Sequence, residues 1–260
     1  MKPVSLNGRV IVVTGGTQGI GAEIARDAVR AGATGICVTG RNAANGATVV
    51  AELEALGAKA LFVAADLGDA AAVASIIPAA LAAFGQVDGL VNAAGITDRG
   101  HIEDTSVELW DRMMAVNVRA PFILTQGLAR QLKAKKTPGS VVNIITRSSH
   151  GGQPFLCAYS TSKGALATLT KNNAHALRAD RIRVNGINIG WADTPGEHAI
   201  QARDGKPADW LVRAEPEQPF GRLIKPDDVS TLAVYLLSDA SQMMTGALID
   251  FDQNVMGAYD

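Results

Sequence analysis

Tyr159 and Lys163 are the pair of side chains in this sequence best suited to acid–base chemistry. Residues four apart on a helix lie on the same face, about 6 Å apart along the axis. A phenol alone, with a reference pKa near ~10, is a poor acid or base at neutral pH. A lysine ammonium beside it favours the phenolate, so the spacing predicts a tyrosine whose pKa is lowered toward the working range. Because Tyr-x-x-x-Lys also occurs by chance on helices, the prediction depends on the residues upstream.

A glycine-rich segment, residues 14–21, follows the first apolar run and leads directly into an alanine-rich helical pattern. Glycines allow the backbone to approach a pyrophosphate closely, and the start of a helix offers free N–H groups and a positive dipole end. The segment predicts a dinucleotide-binding loop, although such a turn can also serve only to pack a helix on a sheet. The residues predicted to contact the cofactor are Gly15, Thr17, Gln18, Gly19, Ile20 and Gly21.

Two later positions would contact the adenosine half of a dinucleotide. Asp66, followed by Leu67, is placed to bond the adenine amino group or to cap the next helix. The second apolar run ends in Gly40 and Arg41, where an NAD enzyme usually carries an acidic residue for the ribose 2′-hydroxyl. A guanidinium can hold a 2′-phosphate, so the sequence favours NADP over NAD. Gln18 stands where a second basic residue would have decided between them.

These residues must be positioned by short β-branched runs that alternate with longer helical patterns. The runs are continuously apolar, as is typical of strands covered on both faces. The alternation predicts an α/β Rossmann fold: one domain over residues 1–260, with a doubly wound parallel sheet of about seven strands and helices on both faces. The predicted strands are 9–14, 35–39, 58–64, 89–91, 140–146, 183–189 and 247–251, with helices near 19–32, 43–57, 69–84, 107–135, 158–179 and 226–238. Residues 191–225, rich in Pro, Gly and charge, are predicted to form an inserted substrate loop.

Composition narrows the class of protein. The 260 residues carry a formal net charge of −1, with 24 basic and 25 acidic side chains, which suggests neither nucleic acid nor an anionic membrane as a partner. Cys37 and Cys157 have no metal-binding or disulfide spacing and are expected to be reduced thiols. The N-terminus does not look like a signal peptide, and no apolar stretch reaches transmembrane length. The sequence therefore predicts a soluble cytoplasmic protein without a metal.

Taken in order, four motifs resemble those of the classical short-chain dehydrogenase/reductase family, over essentially the whole chain. They are residues 14–21, the Asn92-Ala93-Ala94-Gly95 segment, Asn117, and Tyr159-x-x-x-Lys163. The resemblance implies an NAD(P)-dependent oxidoreductase that acts on a secondary alcohol or ketone. It also implies a homotetramer.

The resemblance implies a role for each matching residue. Tyr159 would exchange a proton with the substrate oxygen as hydride moves to or from nicotinamide C4. Lys163 would lower the Tyr159 pKa and bond the nicotinamide ribose, while Asn117 would hold a water that links Lys163 to bulk solvent. Asn92 and Gly95, with the intervening Ala93, would stabilise the sheet and approach the cofactor.

Two departures from the family pattern bear on the predicted site. The family's serine, thirteen residues before the tyrosine, is replaced by Thr146, which keeps a hydroxyl but adds a methyl group. Thr146 is expected to contact the substrate oxygen, with Ser148 as the alternative because residues two apart in a strand share a face. After the sixth strand the family's proline is replaced, whereas Gly190 and Thr194 fit the segment that holds the carboxamide.

The side chains near the reacting centre suggest a polar substrate. The predicted substrate-binding residues are Thr146, Ser148, His150, Gln153, Tyr159 and Trp191, with Asp98, Arg99, Arg147, Glu197 and His198 as further pocket-facing positions. One large aromatic among hydrogen-bonding groups suits a sugar, polyol or cyclitol. The alternatives are a reductase of a 3-oxoacyl group or another apolar ketone, a non-catalytic nicotinamide-binding protein, and an enzyme that uses the same pair for epimerisation or dehydration.

Overall fold

A computed structural model describes residues 3–258. Seven strands, all parallel, form one sheet with the order β3-β2-β1-β4-β5-β6-β7. They are β1 (Val10–Thr14), β2 (Gly35–Gly40), β3 (Lys59–Ala64), β4 (Gly89–Asn92), β5 (Gly139–Ile144), β6 (Ile182–Ile189) and β7 (Leu248–Phe251). The strand order reverses direction between β1 and β4. In such sheets the crevice at the carboxyl ends beside that switch point is where ligands bind.

Helices cover both faces of the sheet. They are α1 (Gly19–Arg30), α2 (Ala43–Ala55), α3 (Ala70–Phe84), α4 (Val107–Met114), α5 (Ala120–Lys135), α6 (Cys157–Leu177), α7 (Pro195–Arg203), α8 (Trp210–Ala214) and α9 (Pro226–Leu237). The doubly wound parallel fold predicted from the alternating pattern is confirmed. Within residues 3–258, no helix is long and apolar enough to cross a membrane.

The core lies in two apolar layers, and β1 shows why its strands are apolar throughout. Successive side chains of a strand point to opposite faces. Ile11 and Val13 therefore pack in the layer that contains α1 and α9, whereas Val12 packs in the layer that contains α3 and α5. Both faces of the strand are buried, which is the arrangement that a continuous apolar run predicts.

Three predicted elements differ from the structure. The fifth strand ends at Ile144 rather than at residue 146, and Thr146 instead begins a 3₁₀ turn at Arg147–Ser149. The predicted helix over 107–135 is divided by a π-helical segment, Ala115–Arg119, between α4 and α5. The predicted loop over 191–225 contains two helices, α7 and α8. The ends of the other strands lie within one residue of the predictions.

Candidate active site

A continuous cleft of about 1360 Å³ crosses the carboxyl ends of the strands. The predicted cofactor residues that line it are Gly15, Thr17, Gln18, Gly19, Ile20, Gly21, Arg41, Asp66, Leu67, Ala93, Gly95, Gly190 and Thr194. The predicted catalytic and substrate residues that line it are Thr146, Ser148, Gln153, Tyr159, Lys163 and Trp191. The topology therefore joins the glycine loop to the tyrosine and lysine, which are more than a hundred residues away in the chain.

The glycine loop leaves room and hydrogen-bond donors for a phosphate group. Gly15 has a φ of +63°, and a Cβ there would lie 2.9 Å from the Cα of Ala94. A Cβ on Gly21 would overlap the carbonyl oxygen of Gly15. The N-cap of α1 is Gln18, whose side chain makes no capping hydrogen bond and so leaves the N–H groups of the first turn uncapped by it. The loop thus fits the pyrophosphate of a dinucleotide.

The adenosine end of the cleft lies at the ends of β2 and β3. A Cβ on Gly40 would lie 2.8 Å from the Thr17 side chain, so this position accommodates no larger residue without a shift. The exposed Arg41 makes no ion pair with another residue of the described chain. Asp66 accepts hydrogen bonds at Oδ1 from Gly68 N at 2.9 Å and from Arg112 Nη2 at 2.7 Å. These bonds hold the pKa of Asp66 below its usual range, so it stays ionised and can accept a further donor at this edge.

Tyr159 and Lys163 lie on one face of α6, as their spacing predicts, but the lysine bonds elsewhere. Lys163 Nζ donates a hydrogen bond to the Ile144 carbonyl oxygen at 2.8 Å and lies 5.9 Å from the centroid of the Tyr159 ring. The lysine is 4% exposed, and burial lowers its pKa to about 8.

The pKa of Tyr159 departs from the prediction. Burial raises it to about 12, and the nearby Glu197 carboxylate raises it too, whereas a hydrogen bond from the Thr146 side chain lowers it. Lys163 is not among the groups that shift this pKa in the structure, so the predicted lowering of the Tyr159 pKa by Lys163 is not seen here. Burial disfavours the charged form of both groups: it raises the pKa of the tyrosine and lowers the pKa of the lysine.

Thr146 and Ser148 have different partners. The Thr146 side chain is 6% exposed, faces Tyr159, and accepts a hydrogen bond from Ser148 N at 3.3 Å. The Ser148 hydroxyl donates instead to Gln153 Oε1 at 2.8 Å. The shared strand face on which Ser148 was the alternative to Thr146 is absent, because the strand ends at Ile144 and the 3₁₀ turn gives the two side chains different surroundings.

Asn117 lies behind the cleft, fully buried in the π-helical segment. Its Oδ1 accepts from Ile96 N, and its Nδ2 donates to the Ile96 carbonyl oxygen and to Ser162 Oγ, each at 3.0 Å. The carboxamide thereby ties the segment after β4 to α6. A Cβ on Gly95 would lie 3.4 Å from both Asn117 Oδ1 and Lys163 Nζ, so Gly95 lets these two groups approach the cleft floor. A π-helical turn at a functional residue is a recurrent feature of enzymes.

Asn92 does not line the cleft, contrary to the prediction that it contacts the cofactor. Its side chain is 2% exposed, and Nδ2 donates to Asn143 Oδ1 at 2.8 Å on the neighbouring strand. Asn143 Nδ2 in turn donates to Thr170 Oγ1 at 2.8 Å, on α6. The parallel register aligns Asn92 with Asn143, so the pair joins β4 and β5 to the helix above them. Its predicted role in stabilising the sheet agrees with this chain of bonds.

Two predicted histidines also lie outside the cleft. His150 Nε2 is 2.6 Å from Asp250 Oδ1 and 3.0 Å from Asn188 Nδ2, so the 3₁₀ turn directs it toward β6 and β7. His198 Nε2 is 2.7 Å from Asp193 Oδ1, and Trp210 Nε1 donates to its Nδ1 at 3.1 Å. His150 is therefore not a substrate-binding residue in this structure, and neither histidine faces the reacting centre.

The far end of the cleft is polar, and α7 builds much of it. Trp191 lines it, stacked on Trp210 with ring centroids 5.7 Å apart. Glu197 accepts hydrogen bonds from Trp191 Nε1 at 2.9 Å and from Gln201 Nε2 at 2.6 Å. The predicted pocket-facing residues that do line the cleft here are Asp98, Arg99, Arg147 and Glu197.

Several residues that line the cleft were not predicted from the sequence. They include Arg112, Phe155, Gln201 and Lys206. Nothing in the local pattern marks Arg112, since its partner Asp66 is 46 positions away. Gln201 could have been found from its i,i+4 relation to Glu197 once α7 was recognised as a helix. Among the described residues, no group of three or more His, Cys, Asp or Glu side chains could hold a metal ion.

Comparison with known proteins agrees with this geometry. The family model described as short chain dehydrogenase matches residues 9–205, which is most of the chain. The NADP-dependent (R)-specific alcohol dehydrogenase of Lentilactobacillus kefiri is 34% identical over 245 residues, which cover 93% of this chain and 94% of that protein.

Solved structures are similar over nearly the whole chain. A short-chain type dehydrogenase/reductase from Mycobacterium marinum superposes with a TM-score of 0.89 at 29% identity and covers 98% of each chain. A structure from Beutenbergia cavernae, provisionally assigned as an NAD(P)-dependent gluconate 5-dehydrogenase, contains NADP at low occupancy. It has a TM-score of 0.85 at 33% identity, covering 97% of this chain and 98% of that one.

Proposed function

Because the chain belongs to the short-chain dehydrogenase family, we propose that it uses NADP to interconvert a secondary alcohol and its ketone, with Tyr159 as the acid–base group. Oxidoreductase chemistry on a hydroxyl group with a nicotinamide cofactor follows from the family itself. One observation carries the finer proposal. A single cleft joins the glycine loop, which fits a pyrophosphate, to the Thr146, Tyr159 and Lys163 side chains.

The chain's own residues would hold the cofactor along this cleft. The first turn of α1 would bind the pyrophosphate, and Asp66 with Leu67 would bind the adenine. Lys163 would bond the nicotinamide ribose, and Gly190 and Thr194 would hold the carboxamide. Bound there, the nicotinamide ring supplies the hydride acceptor or donor, and its positive charge when oxidised favours the Tyr159 phenolate.

Tyr159 would accept the hydroxyl proton in alcohol oxidation and return it in ketone reduction. Thr146 assists by hydrogen bonding, because its side chain lowers the Tyr159 pKa and can donate to the substrate oxygen. Thr146 is favoured over Ser148, since the Ser148 hydroxyl already donates to Gln153. Asn117 would act behind them through its bonds to Ile96 and Ser162, which hold α6 against the cleft.

NADP is proposed rather than NAD because of the arginine that follows the end of β2. Arg41 is exposed at the cleft and lacks a carboxylate ion-pair partner among the described side chains, so it can meet a 2′-phosphate. The L. kefiri relative is named as NADP-dependent and the B. cavernae structure contains NADP, which supports the same choice. Activity with NAD alone would contradict it.

We propose a sugar, polyol or cyclitol as the substrate rather than an acyl chain or another apolar ketone. The far end of the cleft presents Gln153, Glu197 and the indole of Trp191, which suit a ring with several hydroxyl groups. The proposal has three further parts: a cytoplasmic location, a homotetramer, and one domain whose 191–225 segment contacts the substrate.

Tyr159→Phe tests the catalytic proposal against a non-catalytic nicotinamide-binding protein. Purified chain is screened with sugars, polyols and hydroxy acids, with NAD and NADP, and the absorbance of the reduced cofactor is followed. The variant should lower kcat roughly 10²–10⁴-fold on the best substrate, the range expected for one acid–base group. Tyr235→Phe, the same deletion on α9, is the control. Unchanged turnover in Tyr159→Phe would refute the acid–base role. If the unmodified chain releases no reduced cofactor with any alcohol, epimerisation or dehydration is favoured instead.

A further inference from the structure

Glu197 is a carboxylate fixed inside the cleft. It lies in the first turn of α7, where its backbone N–H donates to the N-cap Thr194 Oγ1 at 3.1 Å. Its side chain is 18% exposed and lines the same cleft as Tyr159. Its place in the first turn puts the carboxylate at the positive end of the helix dipole.

Only one of the two carboxylate oxygens is engaged. Oε1 accepts from Trp191 Nε1 at 2.9 Å and from Gln201 Nε2 at 2.6 Å. Within residues 3–258, neither a hydrogen bond nor an ion pair reaches Oε2. A carboxylate can accept about four hydrogen bonds, so Glu197 retains strong acceptor capacity. The bonds to Oε1 fix its orientation, which is the condition for selective recognition.

The charge of Glu197 is only partly balanced. Arg99 Nη2 is 4.0 Å from Oε1, but Arg99 Nε is bonded to Asp204 Oδ2 at 2.8 Å, so the arginine is shared between two carboxylates. Glu197 lies close enough to Tyr159 to raise the pKa of the phenol. Because both residues line the same cleft, a substrate that reaches Tyr159 shares that cleft with this carboxylate.

We propose that Glu197 determines substrate specificity by accepting a hydrogen bond from a hydroxyl group adjacent to the reacting carbon, so that neutral vicinal diols are preferred over alcohols with an anionic neighbour. A hydrogen bond to a charged acceptor is among the stronger polar contacts, whereas a substrate carboxylate at the same place meets a like charge. A neutral donor is favoured over an ammonium group, because Arg99 is within 4.0 Å of the same carboxylate. This inference rests on the proposed oxidoreductase function.

Three ring alcohols that differ at one position provide the test: trans-cyclohexane-1,2-diol, cyclohexanol and 2-hydroxycyclohexanecarboxylate. The wild-type chain should show a kcat/KM for the diol at least about 10-fold above cyclohexanol, the effect of one hydrogen bond to a charged group. The carboxylate should be the poorest of the three. Glu197→Gln should reduce the diol-to-cyclohexanol ratio about 10-fold and improve the carboxylate relative to the diol. Glu197→Asp, which keeps the charge with a shorter reach, should give an intermediate ratio.

Two readouts separate recognition from a structural role of Glu197. Asp209→Asn makes the same carboxylate-to-amide change on an exposed ion pair with Arg213, and it should leave the ratio unaltered. Glu197→Gln should also move the pH dependence of kcat to lower pH, because it removes a negative charge near Tyr159 while Lys163 is retained. A mere loosening of α7 would lower all three activities together and move neither quantity.

The outcomes separate this inference from the proposed function. A wild-type chain that oxidises other alcohols without preferring the diol over cyclohexanol overturns the role of Glu197 and leaves the oxidoreductase proposal intact. An equal loss for all three substrates in both Glu197 variants overturns it as well. If the wild-type chain oxidises no alcohol of the wider panel with either cofactor, the proposed function itself has failed.

Discussion

Thr146→Val is the sharpest test of the catalytic geometry, because it removes a hydroxyl while nearly keeping the shape of the side chain. In the structure the Thr146 side chain favours the Tyr159 phenolate by hydrogen bonding, and in the proposed mechanism it also donates to the substrate oxygen. The valine variant loses both effects. We expect kcat to fall roughly 10²–10³-fold, the usual cost of deleting one donor that stabilises developing negative charge.

The same variant should move the pH dependence of alcohol oxidation. Tyr159 must be deprotonated to accept the hydroxyl proton, so activity rises as pH approaches the pKa of Tyr159. Burial and Glu197 raise this pKa to about 12, and Thr146 opposes them. Loss of the threonine hydroxyl removes the opposing effect, so the pKa rises further and the rising limb of activity moves to higher pH.

The fall in kcat of Thr146→Val should be larger than partial unfolding of the variant could cause. Thr146 also caps the 3₁₀ turn by accepting the Ser148 N–H at 3.3 Å. Deleting such a cap costs about 1 kcal/mol, or roughly 2–4 °C in Tm for a chain of this size. Thermal unfolding measured beside kcat therefore shows whether the variant is folded at the assay temperature.

Two further variants complete the test. Thr146→Ser keeps the hydroxyl and should retain most of kcat, whereas Ser148→Ala, which loses the bond to Gln153, should cost less than about a tenth of the valine effect. A larger loss in Ser148→Ala than in Thr146→Val would show that the hydroxyl roles are reversed. Failure of serine to rescue kcat would show that the threonine methyl group, and not its oxygen, is required.

Three other perturbations test the rest of the site. Gly21→Ala should raise the Kd for NADP at least about 10-fold in fluorescence titration, because its Cβ would overlap the Gly15 carbonyl oxygen; unchanged affinity would contradict the tight loop. Arg41→Ser should raise KM for NADP about 10-fold and leave KM for NAD within about twofold, since only the 2′-phosphate needs a cation; parallel changes would exclude that contact. Asn117→Leu should lower the free energy of unfolding by about 2–4 kcal/mol in a urea titration, because three polar partners lose their bonds; a neutral result would mean that Asn117 does not hold α6.

The fold followed from patterns that are local in the sequence. Continuously apolar runs, such as Val10–Thr14, predict strands buried on both faces, and their alternation with helical patterns predicts a parallel sheet. The ends of these elements do not follow from the same local patterns. Residues 140–146 have strand-forming side chains, yet the strand stops at Ile144 because the chain turns into the 3₁₀ segment that bears Thr146. The π-helical segment at Asn117 likewise carries tertiary bonds to Ile96 and Ser162, which no helical periodicity reveals.

By itself the sequence determined which residues can do chemistry: the glycine loop, the tyrosine and lysine one helical turn apart, and the hydroxyl at residue 146. These depend on residue type and on spacing within one element, and such short-range relations are written directly in the chain. Only the tertiary structure decided which side chains converge. It turned His150 to Asp250, 100 residues away, and buried Asn92 against Asn143. It also brought Glu197 into the cleft of Tyr159 and gave Lys163 the Ile144 carbonyl as its partner. Burial and charge act through space, so the pKa values of this site depend on the packing of distant segments.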